Sequence, residues 1–346
     1  MPPVPIVTSP LAADVLRIAL ARRGVPSEAV ALTLAHAPHG PDEKLEPTGV
    51  CLQPGGLRAF REMGLDIEAL AAQSTVVPVI RVVHPKGHRL IRLDLSGLSS
   101  RYPMLVIATP VLRAYLATAA QASGIAGPGD APRAAPGQLP AEAWKLMPCP
   151  GILLRTVRGS FRDSREPLLW DHARAYLCVG QLPHERLVLS AMPLFEIPIE
   201  HQRTACQAAL DDATERLRDH FSIEGPVEEQ WFSLPGVGAR PCRDGHTLRW
   251  SSAALRLHPI TGMSISYWAI QANRLAEELA RSGHLSDRFV RSLDANNRWM
   301  VRRNLLSLNV HLRPAWWRST CYGPCLWALQ HSDRLRRVVF RRLWLT

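Results

Sequence analysis

The sequence lacks the features that mark several broad classes of protein. It has no uncharged apolar run of about 18 residues, the length that a membrane-spanning helix requires. Its first residues, MPPVPIVTSPLAAD, lack the basic region that opens a secretory signal, and no Walker A or HExxH motif occurs. We therefore expect neither a transmembrane nor a secreted protein, and neither a P-loop nucleotidase nor an HExxH zinc protease.

Cysteine is also sparse and irregularly placed. The chain of 346 residues holds seven cysteines, an odd number, which is typical of reduced thiols in the cytosol. Cys321 and Cys325 form a CxxxC pair without a second pair, so we expect no zinc site and no other metal site. The length is enough for one large domain or two closely associated domains.

Acidic residues are fewer than basic ones, which leaves a net charge of +11. An acidic protein partner and an anionic membrane surface are both compatible with this charge, as is a solvated basic surface without a partner; we do not expect nucleic acid. The segment Asp333–Thr346 places five arginines among apolar residues and predicts either a membrane-surface helix or a helix docked on the protein. We expect a cytoplasmic location, with attachment to the inner face of the cytoplasmic membrane left open.

Two stretches of one predicted domain, far apart in the chain, have apolar residues at the spacing of strands and helices. Val4–Val7, Leu11–Gly24 and Val30–Leu34 read as strand, helix and strand, the start of a Rossmann-like unit. In Leu248–Leu279, strand-like spacing at Leu248, Trp250 and Ala253 precedes a turn around His258 and Pro259, and apolar residues three and four apart then predict a long helix. A helix N-terminus behind such a turn suits an anionic ligand.

The second of these stretches resembles a flavin-contacting motif of the FAD-dependent aromatic hydroxylases, most closely their ubiquinone-biosynthesis branch. That motif reads approximately G-(D/N)-A-A-H-x-(L/V)-H-P-(I/V)-(A/T)-G-Q-G-x-N. The chain retains Ala253, Ala254, Leu257, His258, Pro259, Ile260, Thr261 and Gly262. It departs from the motif at positions that would touch the cofactor, which here are Ser251, Ser252, Leu255, Ser264 and Ser266.

The resemblance extends to the start of the chain, again with departures. The three glycines of the family's GxGxxG loop fall on Thr8, Pro10 and Ala13, and Pro10 lacks even the N–H that would approach a pyrophosphate. The acidic residue expected after the second strand is Ala35 or His36. The Pro/Gly-rich interval from Gly124 to Gly151 reads as a loop, where the family carries a segment that closes the flavin domain.

The cofactor-binding positions that the resemblance implies are therefore mostly degenerate. They are Thr8, Pro10, Ala13, Glu46, Ser252, Pro259, Gly262, Ser264 and Ser266. No catalytic residue can be assigned from the sequence.

The predicted fold is a mixed α/β one, in which a Rossmann-like domain of the FAD/NAD(P)-binding type carries an inserted substrate-domain sheet. A hairpin is predicted over Ile80–Leu95. Further strands are predicted at Leu153–Arg158, Ala173–Val179 and Arg186–Pro193, and helices at Val111–Ala120, Thr204–Phe221 and Phe289–Leu312. The predicted domains are a discontinuous Rossmann-like domain (1–150 and 237–290), an inserted sheet domain (151–236, with part of 76–110) and a C-terminal helical region (291–346).

Three functions remain open at this level. The first is a protein of this family that has lost FAD and binds a hydrophobic aromatic or quinone-like molecule or supports a partner enzyme. The second is an active FAD-dependent hydroxylase. The third is a flavin-independent cyclase or lyase that uses the substrate pocket of the family. In the family the oxygen chemistry belongs to the flavin, and the protein supplies position and electrostatics. Because the positions that would contact the flavin are degenerate, we expect no bound cofactor, and FAD if any.

Overall fold

The computed structural model describes residues 2–35, 49–83, 90–95, 102–125, 146–162, 167–234, 236–258, 263–313 and 323–343. The helices in these ranges are α1 Pro10–Arg22, α2 Pro54–Glu62, α3 Ile67–Ala72, α4 Thr109–Ala122, α5 Gln202–Arg216, α6 Ser264–Ser282, α7 Asp287–His311, α8 Gly323–His331 and α9 Asp333–Leu343. Single 3₁₀ turns occur at Ser27–Ala29, Ile199–His201 and Ser251–Ala253.

The strands form four sheets. In chain order the strands are β1 Val4–Thr8, β2 Val30–Leu34, β3 Gly49–Leu52, β4 Thr75–Val77, β5 Val79–Val83, β6 Leu90–Asp94, β7 Met104–Ala108, β8 Ile152–Phe161, β9 Leu168–Asp171, β10 Ala175–Leu182, β11 Arg186–Pro193, β12 Phe221–Phe232, β13 Gly238–Ala239, β14 Arg243–Asp244, β15 Thr247–Arg249 and β16 Leu255–Arg256. The mixed α/β class predicted from the sequence is confirmed.

The first sheet has the order β14-β15-β1-β2, with β1 parallel to both β2 and β15. Ile6 lies opposite Leu32 on one side and Leu248 on the other, and all three side chains are buried. Helix α1 connects β1 to β2, as the sequence predicted. The pairing of β1 with β15 brings residues near the start of the chain beside residues about 240 positions later.

Helices α1, α2, α4 and α6 surround the largest core. The predicted apolar stripe of α6 is confirmed, because Ile265, Ala269, Ala272 and Leu275 are all buried in this core. Small residues on α6 allow close helix packing. One close approach is at Gly56 of α2, where an added Cβ would lie 2.5 Å from the Ser266 side chain.

The second large sheet has seven strands in the order β12-β8-β11-β10-β9-β5-β6. The hairpin β5–β6 and strands β8, β10 and β11 match predictions, and α5 packs on the sheet. The strands come from segments far apart in the chain. The domain boundaries proposed from the sequence remain a prediction.

Two local predictions were wrong. The helix expected to continue to Phe221 ends at Arg216, and Phe221 instead opens β12, which the sequence analysis missed. Strand β12 forms because it pairs along its length with β8, with a register shift between Glu224 and Val227. The second error is at the end of β15. The strand stops at Arg249, and the residues predicted to continue it form a 3₁₀ turn.

Candidate functional site

The turn between β1 and α1 is very short. Thr8 is the last residue of the strand, Ser9 is the N-cap, and Pro10 is the first residue of the helix. The N–H of Ala13 donates to the Ser9 carbonyl at 2.8 Å, so helical geometry begins at once. Proline suits the first helical position because no intrahelical N–H is needed there. The position corresponding to the predicted phosphate loop is therefore a tight strand-to-helix turn.

Hydroxyl groups from two distant segments meet at this turn. The Ser251 Oγ lies 2.8 Å from the Thr8 Oγ1 and 3.3 Å from the Ser9 Oγ, and it accepts the Ser9 N–H at 3.2 Å. Thr8 and Ser251 are both buried. The approach is set by the sheet, because the Trp250 N–H donates to the Val7 carbonyl at 2.8 Å. We refer to Thr8, Ser9 and Ser251 as the hydroxyl cluster.

Ser251 adopts a backbone conformation that is unusual for its residue type. Its φ is 53°, in the left-handed region that glycine enters most readily. The motif that this stretch resembles has glycine at this position, where the present chain has a side chain. That side chain is the one that joins the hydroxyl cluster.

The remaining predicted positions have different surroundings. Ala13 is fully buried behind the turn. Ser252 is half-buried within the 3₁₀ turn, and Ser264 is half-buried as the first residue of α6. Glu46, Pro259 and Gly262 lie outside the described residues. The structure thus brings Thr8 and Pro10 close to the turn that carries Ser252.

Ser266 lies between two helices. Its side chain is fully buried, and its Oγ accepts the Gln53 N–H at 2.9 Å. Gln53 is the N-cap of α2, so Ser266 satisfies one of the free backbone donors at that helix end. In this position the serine holds α2 against α6.

A group of arginines beside the 3₁₀ turn was not identified from the sequence. Arg240 donates from its backbone N–H to the Ala254 carbonyl and from its Nε to the Ala253 carbonyl. Arg249 forms an ion pair with Asp244, and Arg256 lies on the paired strand β16. Burial, followed by the charges of Arg249 and Arg256, lowers the pKa of Arg240 to about 10. The charges of Arg249 and Arg256 therefore act on Arg240, with Asp244 opposing them.

Sequence reasoning missed this group because Arg249 and Arg256 lie on two separate short strands, β15 and β16, and Arg240 directly follows a third, β13. Residues 240, 249 and 256 follow neither a helical nor a strand period. The pairing of β13 with β16 and of β14 with β15 brings them together.

A network of buried polar side chains begins at Trp250, the residue before Ser251. The Trp250 Nε1 donates to the Gln271 Oε1 at 3.2 Å, and the Tyr267 hydroxyl and the Gln271 Nε2 donate to the Asn297 Oδ1 at 3.0 and 3.1 Å. Asn297 in turn donates to the Cys242 Sγ at 3.2 Å. Burial raises the pKa of Tyr267 and of Cys242 far above the usual range, so both stay protonated. The network is positioned to hold β15, α6 and α7 together.

His258 ends the described part of the motif and is buried. Its backbone N–H donates to the Asn304 Oδ1 at 3.1 Å, and its ring Nε2 lies 3.3 Å from the Pro150 carbonyl oxygen. Burial lowers the pKa of His258 to about 4, against a smaller increase from the Pro150 hydrogen bond. The imidazole is therefore neutral at pH 7. It links the motif to α7 and to the segment before β8.

Searches for similar proteins gave a consistent result for the fold alone. No protein-family model and no curated protein sequence matches the chain. Solved structures do match over nearly the whole length. One is p-nitrophenol 4-monooxygenase PnpA from Pseudomonas putida DLL-E4, with a TM-score of 0.66, 14% identity and coverage of 99% of this chain and 98% of that one.

Two further structures share the fold. The flavin-dependent monooxygenase PieE, solved with FAD and substrate, has a TM-score of 0.64 and 13% identity, with 97% of this chain and 72% of that one covered. The Diels-Alderase PyrE3 of pyrroindomycin biosynthesis has a TM-score of 0.69 and 12% identity, with 99% and 80% covered. The chain therefore has the fold of flavin-dependent monooxygenases. In the described part of the chain, no helix has both the length and the hydropathy to cross a membrane.

Proposed function

We propose that this chain belongs to the flavin-dependent monooxygenases and has lost the FAD contact at its first strand-to-helix turn. In this proposal the protein binds a hydrophobic aromatic or quinone-like molecule, or supports a partner enzyme. The observation that carries the proposal is the position of the Ser251 hydroxyl, which lies against Thr8 and accepts the Ser9 N–H.

A pyrophosphate at a helix N-terminus is held mainly by backbone N–H groups that point at it. Here the Ser9 N–H is donated to Ser251, and Pro10 has no N–H to donate. The side chains of Thr8 and Ser251 also occupy positions where the family has glycine. Glycine has no side chain and therefore lets the ligand approach the backbone. The residues present therefore do not fit the pyrophosphate of FAD in the family's usual arrangement.

Loss of the flavin removes the oxygen chemistry as well. In flavoprotein hydroxylases the cofactor carries out that chemistry, and no protein side chain replaces it. Burial raises the pKa of the Cys51 thiol to about 12 and that of Cys149 to about 11, so neither is a ready nucleophile. The proposed loss of the flavin is what favours a binding role over an oxidative one.

The class of ligand is suggested by the structures that share the fold. One of them acts on p-nitrophenol, which is a hydrophobic aromatic molecule. The resemblance of Ala253–Gly262 to the ubiquinone-biosynthesis branch points to a similar ring with a longer apolar tail. We extend this ligand class to the present chain as part of the proposal.

A second candidate function is a cyclisation that needs no flavin redox step. It is favoured by the similarity to the Diels-Alderase PyrE3, which covers 99% of this chain. Such an enzyme needs a shaped cleft that holds a flexible substrate in a reactive conformation. Turnover of an apolar substrate in the absence of oxygen and reductant would distinguish this function from simple binding.

The absorbance spectrum of the natively purified protein tests the main proposal. We expect no flavin bands, no stoichiometric uptake of added FAD, and quenching of tryptophan fluorescence by a short-chain quinone. Bound FAD at one equivalent would overturn the proposal and favour an active hydroxylase. If the protein binds neither FAD nor the quinone, the proposed binding role is wrong, and only the proposed role in supporting a partner enzyme remains.

A reversal variant tests whether the turn alone excludes FAD. The substitutions Thr8→Gly, Pro10→Gly, Ala13→Gly and Ser252→Asp restore the family residues at four positions. We expect weak FAD binding or none, because the Ser251 side chain remains at the turn and the family's closing segment is missing between Gly124 and Gly151. Tight binding by this variant would show instead that only these contacts had been lost.

A further inference from the structure

Helices α8 and α9 form a hairpin at the edge of the seven-stranded sheet. Helix α8 packs against β6, the last strand of that sheet, and α9 packs against α8. Leu329 of α8 is half-buried against the apolar cluster that contains Val77 and Ile80. The hairpin is thus attached to the body of the protein through α8.

One arginine of α9 serves this attachment. Arg336 donates from its Nη1 to the carbonyls of Leu329 and Gln330 at 3.3 and 3.2 Å, and it forms an ion pair with Asp333. Its side chain is only 14% exposed. A cation at this position satisfies the free carbonyls near the C-terminus of α8. Arg336 is therefore a structural residue and is not available to a partner.

The outward side of the hairpin is different. Leu335 and Val338 of α9 are 39% and 47% exposed, and the arginines beside them, Arg334 and Arg337, are also exposed. Trp327 of α8 is 51% exposed and stacks on His331 at 4.5 Å between ring centroids. Large apolar side chains are seldom left in water next to one another unless something covers them. We call Arg334, Leu335, Arg337 and Val338, which are three or four residues apart on α9, the basic apolar face.

We propose that the basic apolar face docks on an anionic lipid surface. Exposed apolar side chains on a helix rich in arginine match the headgroup region of a bilayer, where acyl chains receive the apolar groups and anionic headgroups receive the cations. Helix α9 carries five arginines and one aspartate, so its charge is complementary to such a surface. An aromatic side chain such as Trp327 suits the same interfacial depth. The chain then lies on the membrane with the sheet edge β6 towards it.

Binding to vesicles tests the proposal on the full chain. We expect co-sedimentation with vesicles of phosphatidylcholine and phosphatidylglycerol, little with phosphatidylcholine alone, and weaker binding at high salt. The Arg334→Glu/Arg337→Glu variant should bind these vesicles at least about 25-fold more weakly. Each basic residue near an anionic surface contributes about fivefold to the affinity, and two are removed.

The matched control is Arg288→Glu/Arg291→Glu on α7. These arginines are exposed and three residues apart on a helix, as Arg334 and Arg337 are, so the net charge changes equally. We expect this control to retain most of the binding, and both variants to unfold at the temperature of the wild type. Equal losses in the two variants would overturn the proposal, because they would indicate a general effect of net charge.

The apolar half of the face distinguishes lipid from an acidic protein. Leu335→Ser/Val338→Ser should weaken binding to anionic vesicles about tenfold, because burial of apolar side chains is favourable and less than half of each of these two is still exposed and can be buried by lipid. Binding to polyglutamate but not to anionic vesicles would overturn the proposal and identify an acidic polypeptide as the partner. Failure of the wild type to bind either would overturn it as well.

Discussion

The hydroxyl oxygens of Thr8 and Ser251 lie 2.8 Å apart, although 243 positions separate the two residues. The contact joins the end of β1 to the turn that follows β15. A hydrogen bond between two buried side chains thus connects segments that are distant in the chain.

Substitution of Ser251 should reveal two opposing effects. Ser251→Ala removes the acceptor of the Ser9 N–H and the partner of Thr8, leaving buried polar groups unpaired, so we expect a loss of about 1–3 kcal/mol in the free energy of unfolding. Ser251→Gly loses the same hydrogen bonds, but glycine adopts the positive φ without strain, which should restore about 1 kcal/mol of the free energy of unfolding. Urea unfolding should therefore rank wild type above the glycine variant and the glycine variant above alanine. A glycine variant less stable than the alanine variant would contradict this account.

The packing of α2 on α6 predicts a severe effect at Gly56. A Cβ there would lie 2.5 Å from the Ser266 Cβ and 2.6 Å from its Cα, so backbone has to move. We expect Gly56→Ala to lower the free energy of unfolding by about 1–3 kcal/mol, or more, through overpacking. Gly180→Ala is the matched control, because an added Cβ on that β10 residue meets nothing within 4 Å. Similar stabilities of the two variants in thermal unfolding would show that the helices separate easily.

The buried His258 predicts a pH dependence of stability. Its pKa is about 4 in the folded protein because burial disfavours the charged imidazolium, whereas an unfolded histidine titrates near pH 6.5. The unfolded state therefore binds more protons between these values, and stability present above about pH 6.5 is lost as the pH falls towards 4. The loss from this one residue is on the order of 3 kcal/mol.

His258→Gln isolates that contribution. The amide nitrogen of glutamine can still donate to the Pro150 carbonyl but does not titrate, so the variant should lose less stability than the wild type between pH 6.5 and 4. Urea unfolding at several pH values measures the difference. Parallel pH profiles for the two proteins would indicate that His258 does not control this part of the acid sensitivity. His172, whose pKa is lowered by burial against the opposing effect of Asp212, remains in both proteins and cancels.

Much of the local structure could be predicted from the sequence. Strands β2 and β11 have the predicted bounds, and α1 and α6 begin or end within a few residues of theirs. These elements follow a clear hydrophobic period, and their apolar faces are the ones that the fold buries. The hairpin β5–β6 was predicted for the same reason.

Strand β12 shows where such prediction fails. Its sequence, FSIEGPVEEQWF, contains Gly225 and Pro226 and several acidic residues, which weaken any local signal for a strand. The strand exists because β8 supplies a partner along its length, and the Arg155 Nε of β8 donates to the Glu229 carboxylate. Pairing of this kind depends on a neighbour that is distant in the chain.

From the sequence by itself we predicted the strand–helix–strand unit at Val4–Leu34 and a basic helix in Asp333–Thr346, and we found the resemblance of Ala253–Gly262 to a known motif. These are local patterns, and the period of apolar residues or the identity of a turn residue is enough to read them. Only the tertiary structure decided that Ser251 reaches Thr8, that Arg240, Arg249 and Arg256 share one region, and that Arg336 faces inward while Arg337 faces out. Each of these depends on which strands pair and which helices pack, and those choices minimise the free energy of the whole chain, so no short segment contains them.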